Sequence, residues 1–89
     1  MLPTAPPLSA ADMLIGESVR IRTLVGDSAL VQRIAEFGCL PDMTLRLLRT
    51  APLGDPLEFF INGSHVSLRR ADARCILVER PAAATEPRV

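Results

Sequence analysis

Lysine, tyrosine and tryptophan are missing from this 89-residue chain altogether, histidine occurs once, and ten arginines are balanced by ten carboxylates. Each absence removes a class of function. A chain with zero net charge lacks the basic surplus that attracts phosphate backbones or anionic membranes. Three phenylalanines cannot supply the stacking platforms that single-stranded nucleic acid requires, and no helix-turn-helix pattern fits in the chain. A nucleotide-binding P-loop ends in Gly-Lys-Ser/Thr, so a chain without lysine is not itself a GTPase. Apolar runs stay far short of the ~20 residues that span a bilayer. Met1 to Leu8 has neither the basic start nor the apolar stretch of a secretory signal, so a cytoplasmic location is expected. His65, the single imidazole, has no nucleophile and orienting carboxylate in any recognisable pattern, and no serine stands in Gly-x-Ser-x-Gly. The chain is therefore read as non-enzymatic.

What remains is a chain that is 48% hydrophobic, enough to fill one small core. Met1 to Leu8 holds three prolines and 81–89 reads Pro-Ala-Ala-Ala-Thr-Glu-Pro-Arg-Val; neither has apolar periodicity. Both are expected to be frayed tails, which leaves one domain over 9–80. Cys39 and Cys75 form no Cys-x-x-Cys pair and read as two small apolar side chains in a reducing compartment.

Ser9 with Asp12 three positions on marks a short helical turn, stopped by Gly16. Ser18 to Leu24 alternates, with Val19 and Ile21 on one face and Arg20 and Arg22 on the other, which predicts a half-buried strand. Gly26-Asp27-Ser28 then caps an amphipathic helix over 29–37 with Leu30, Ile34 and Phe37 inward, ended by Gly38 and Pro41. The second half is β. In Met43 to Thr50, Leu45, Leu47 and Leu48 do not share one face, which calls for a bulge or a two-sided environment. The turn Ala51-Pro52-Leu53-Gly54-Asp55-Pro56 follows, then Leu57, Phe59 and Ile61 on one face, then the hairpin signal Asn62-Gly63, then Val66 and Leu68 inward. Arg69 to Arg74 predicts a single helical turn, and Cys75 to Arg80 closes the sheet. Short strands, tight turns and one helix after the first strand predict a mainly β fold with short helices, arranged as a small closed barrel.

Three ordered segments carry a family resemblance: Arg33-Ile34-Ala35-Glu36-Phe37-Gly38-Cys39-Leu40-Pro41, then Ala51-Pro52-Leu53-Gly54-Asp55-Pro56-Leu57-Glu58, then Val66-Ser67-Leu68-Arg69-Arg70. Together they resemble FeoA proteins, small cytosolic accessory proteins of bacterial ferrous iron uptake. The resemblance covers 9–80 and implies an SH3-like β-barrel. It also implies a partner, the cytoplasmic part of a FeoB-like membrane GTPase transporter, at the inner face of the membrane. A similar domain forms the C-terminal module of metal-dependent repressors, so a metal-responsive interaction module is the alternative. Two departures stand out: the family usually has glycine at Asp42 and leucine or methionine at Cys39. Aspartate tolerates a left-handed turn, so Asp42 is expected to keep it. Missing aromatic rings forbid the proline-rich peptide groove of eukaryotic SH3 domains.

For partner binding the candidates are Leu53, Gly54, Asp55 and Pro56, which project on a pre-ordered turn, together with Phe60. Leu48, Phe60 and Leu77 point away from the inward positions and are either core completion or an exposed contact cluster. No cofactor is required. One chain has no paired ligands for a closed metal site, but two chains in a homodimer are able to pool His65, Asp55 and Glu58 for an adventitious or regulatory divalent ion. Arg69, Arg70, Arg74, Arg20 and Arg22 read either as a solvated face balanced by Asp72 and Glu17 or as a contact for an acidic partner.

Overall fold

A computed structural model describes residues 8–80. The expected tails at 1–7 and 81–89 lie outside the described residues. Ser9 opens a 3-10 turn, Ala10–Asp12, through a complete capping box: its hydroxyl accepts from the Ala11 N–H, and the Asp12 carboxylate accepts from the Ser9 N–H. Strand β1 is Ser18–Leu24, and helix α1 is Ser28–Glu36. Asp27 caps α1, its carboxylate accepting from the Leu30 N–H at 2.9 Å. Strands β2 (Thr44–Thr50), β3 (Leu57–Ile61) and β4 (Ser64–Leu68) follow, then the four-residue helix α2 (Arg70–Ala73) and β5 (Ile76–Glu79).

The strands form one antiparallel sheet in the order β4-β3-β2-β1-β5. Its topology is SH3-like, but the sheet is open, and the expected closed barrel is not formed. Closure would need β4 to pair with β5. Instead α2 separates them in sequence, and the free side of β5 is occupied by the N-terminal segment. Ser9 bridges Leu77, and the Val78 N–H donates to the Leu8 carbonyl at 2.9 Å. Helical segments close the core in place of a fifth ladder: Ala10, Met13, Ile34 and Ala73 are buried with the inward side chains of all five strands.

Two irregularities let the sheet curl over this core. Leu47 pairs with Phe59 and Arg49 with Glu58, leaving Leu48 as the extra residue of a bulge in β2. That resolves the mixed pattern of β2, with Leu45 and Leu47 buried and Leu48 half-buried. A second shift in β1 leaves Arg22 unpaired between Ile21 and Thr23. Asp42 takes the left-handed conformation at φ 73°, as expected of an aspartate in this turn, and its N–H donates to the Ile21 carbonyl at 2.7 Å. Phe37 departs from expectation. The helix ends at Glu36, and Phe37 lies 45% exposed at the C-cap instead of joining Ile34 inside.

Candidate docking surface

The turn between β2 and β3 is narrow at its base and rigid at its tip. The Ala51 N–H donates to the Pro56 carbonyl at 3.0 Å, and the Gly54 N–H donates back to the Ala51 carbonyl at 2.7 Å. Gly54 sits at φ 87°, a conformation costly for any residue with a Cβ. The Asp55–Pro56 peptide bond is cis.

Arg70 fastens this turn to the body. Its backbone N–H donates to Asp55 Oδ1 at 2.8 Å, its Nε to the Gly54 carbonyl at 3.0 Å, and its Nη1 to the Ala11 carbonyl at 2.9 Å. Arg69, the N-cap of α2, makes no side-chain cap bond, so Asp55 supplies from across the molecule an acceptor for a donor at that helix start. One guanidinium thereby ties together three elements distant in sequence. Leu53, held at the tip of this fastened turn, is 96% exposed. A large apolar side chain displayed on a rigid support is the form a partner contact takes. Beside it lies a concavity of about 240 Å³ lined by Thr50, Ala51, Pro52 and Pro56 of the turn region and by Arg49, Glu58 and Ser67 of the strands.

Phe60, the other contact candidate, faces outward on β3 opposite His65, their rings 5.4 Å apart and edge-to-face. It is 37% exposed. Leu77 does not join it: Phe60 pairs with Arg46 on β2, whereas Leu77 lies on β5, two strands farther across the sheet. Leu77 pairs with Thr23, while Arg46 pairs with Ser18; five positions of β1 at ~3.3 Å each separate these levels of the sheet.

The residues proposed for a shared metal are not gathered within the chain. Asp55 is committed to Arg70, Glu58 pairs with Arg49 at 2.5 Å, and His65 packs on Phe60. Among the described residues no three His, Cys, Asp or Glu side chains are grouped to hold a metal ion. The arginines pair differently from the sequence expectation. Arg20 and Arg22 are served by Glu79, Arg33 by Asp72, and Arg80 by Glu17. Hydrogen bonding to Arg20 holds the Glu79 carboxyl below its ordinary value. Burial works to raise Glu17, but the Arg80 guanidinium and the Leu14 N–H outweigh it. Burial alone pushes the Cys39 thiol up to about 11.

Sequence reasoning missed two features. Arg70 looks like one more charge in an Arg-Arg pair, and only folding brings Gly54 and Ala11 within its reach. Leu14 and Ile15, 68% and 63% exposed, sit in the turn that pairs with β2 through the Gly16 N–H and the Leu47 carbonyl. An unpatterned Met-Leu-Ile run gives no sign of which members are outside.

An SH3-like sheet that displays a large apolar side chain on a fastened turn defines a small module built to work through its surface. The model of the FeoA domain matches residues 8–80, and the chain belongs to the FeoA family. It is 35% identical over 69 residues to the Fe(2+) transport protein A/Fe(2+) transporter FeoB fusion protein of Porphyromonas gingivalis. That match covers 78% of this chain and spans 8% of the length of that relative. Among solved structures, the FeoA protein of Chlorobium tepidum superposes with a TM-score of 0.78 at 29% identity, covering 84% of this chain and 71% of that one. Iron(II) transport protein A of Clostridium thermocellum gives 0.78 at 27% identity, covering 82% and 45%.

Proposed function

We propose that this chain docks on the cytoplasmic part of a FeoB-like ferrous iron transporter and modulates iron uptake without catalysing a reaction. One structural observation carries the reading: Leu53, almost wholly exposed, stands on a turn fixed by Arg70 from two sides. The family supports it, as does the Porphyromonas gingivalis relative, whose name joins a protein like this one to FeoB in a single chain. The contact is made by Leu53, Gly54, Asp55 and Pro56, with Phe60 farther along β3, and it needs no resident metal. Among the described residues no helix is long and apolar enough to cross a membrane.

The test is a calorimetric titration of the chain against the cytoplasmic domain of a FeoB-like transporter, with and without Fe(II). Leu53 touches little in the free protein, so Leu53→Ser should leave the melting temperature unchanged. Burying a leucine side chain on binding contributes about 2 kcal/mol, so the variant should bind about thirtyfold more weakly. Absence of binding by the wild-type chain under both conditions overturns the reading.

A further inference from the structure

The two edges of the sheet are treated differently. The outer side of β5 is covered by Leu8 and Ser9. The outer side of β4 has no partner among the described residues. Which groups it displays follows from the hairpin. Asn62 and Gly63 both have positive φ, 49° and 82°, the signature of a two-residue type I′ turn. Such a turn makes Ile61 and Ser64 a hydrogen-bonded pair. Hydrogen-bonded and non-bonded pairs then alternate along the ladder, so Val66 and Leu68 also bond to β3, whereas His65 and Ser67 turn their N–H and C=O groups outward. The same parity on the other side of β3 directs Leu47 toward β1, where its carbonyl accepts from the Gly16 N–H and its N–H donates to the Glu17 carbonyl.

We infer that β4 pairs with β4 of a second copy of this chain, antiparallel about a two-fold axis at Val66. In that register His65 faces the partner's Ser67 as a hydrogen-bonded pair, and Ser67 faces the partner's His65. All four outward backbone groups of each copy at these positions are then satisfied. The segment is self-complementary in its side chains as well. Ser64–Leu68 contains no Arg, Asp, Glu or Pro, so symmetric pairing opposes no like charges and meets no missing donor. By contrast, the exposed positions of β1 and β2 carry Arg20, Arg22, Arg46 and Arg49. Because the described residues of each chain offer one free edge, the association closes at a dimer and does not propagate. Five residues bury far less than the ~800 Å² per partner of a stable complex, so the dimer is weak and forms at high local concentration. The inference is independent of docking through the Leu53 turn.

Sedimentation velocity over a concentration series, together with amide exchange at low and high protein concentration, tests it. The wild-type chain should approach a monomer–dimer equilibrium at millimolar concentration, with exchange at His65 and Ser67 slowing as concentration rises. Ser67→Pro removes an outward N–H without touching the ladder to β3 and should weaken association at least tenfold, while Ser67→Ala should not. If the proline variant loses its fold by circular dichroism, the wild-type exchange measurement decides. A chain that stays monomeric at millimolar concentration overturns the inference. So does association with concentration-independent exchange at both amides, or association that survives Ser67→Pro in a folded variant.

Discussion

Replacing Arg70 with alanine removes the one side chain that joins the β2–β3 turn, α2 and the N-terminal 3-10 turn. The guanidinium donates at 3.0 Å to the Gly54 carbonyl and at 2.9 Å to the Ala11 carbonyl, both part-buried. A hydrogen bond from a charged donor contributes about 1–1.5 kcal/mol net at a half-buried site, so the loss should total about 2–3 kcal/mol. For a domain of this size that corresponds to a fall in Tm of about 10–20 °C. Urea denaturation followed by circular dichroism measures the loss. Amide exchange locates it: the Ala51 and Gly54 N–H groups, which close the turn, should exchange faster, while amides in β1 change only through global stability. Arg70→Lys retains the charge but offers one compact donor group, and should recover no more than about half of the loss. A loss below about 0.5 kcal/mol, with turn amides still protected, would refute the view that Arg70 fastens the turn.

Two further predictions come from titrating groups. Glu17 and Glu79 are both held below the ordinary carboxyl value of 4.5 in the folded chain, so their contribution is fully present above that pH and is lost as pH falls through their folded values; urea midpoints should decline below about pH 4.5, and Glu79→Gln should flatten that decline. Cys39 has the opposite sign for an acid, its thiol raised from 9.0 to about 11, so stability should fall as pH rises across that interval, and iodoacetamide at pH 8 should modify the half-buried Cys75 first and leave Cys39 intact until the chain is unfolded, as read by mass spectrometry.

Local rules make much of this fold readable. Val19 with Ile21, and Leu57, Phe59 and Ile61, alternate because one face of each strand is buried. Asp27 announces α1 because a carboxylate satisfies an N–H at a helix start. Three leucines out of phase in β2 leave a bulge or a two-sided environment open, and the register shift at Leu48 decides for the bulge. Sheet closure is a different kind of question. Whether β5 meets β4 depends on Leu8 and Ser9, which compete for the same backbone groups and carry no pattern of their own. Phe37 continues the helical spacing of Leu30 and Ile34, but the last helical residue is Glu36, and the C-cap turns its ring outward. At the candidate docking surface the conspicuous turn was visible in its prolines and glycine. Its anchor, Arg70, was not, because the contacts to Gly54 and Ala11 join positions that only the tertiary fold makes adjacent.

The strip of backbone at Leu8 and Ser9 that covers β5 also fixes the traffic into and out of the domain. Val78 bonds to Leu8, so the points where the described chain enters and leaves sit side by side on one margin. Such a unit behaves like a plug on a single flex: it can be spliced to another polypeptide through either connection, or inserted within one, with little change in how it hangs. The opposite margin, β4, then faces away from the joint. Two domains tethered near one another would meet at an effective concentration far above that of free chains in solution, where even a weak strand pairing becomes populated.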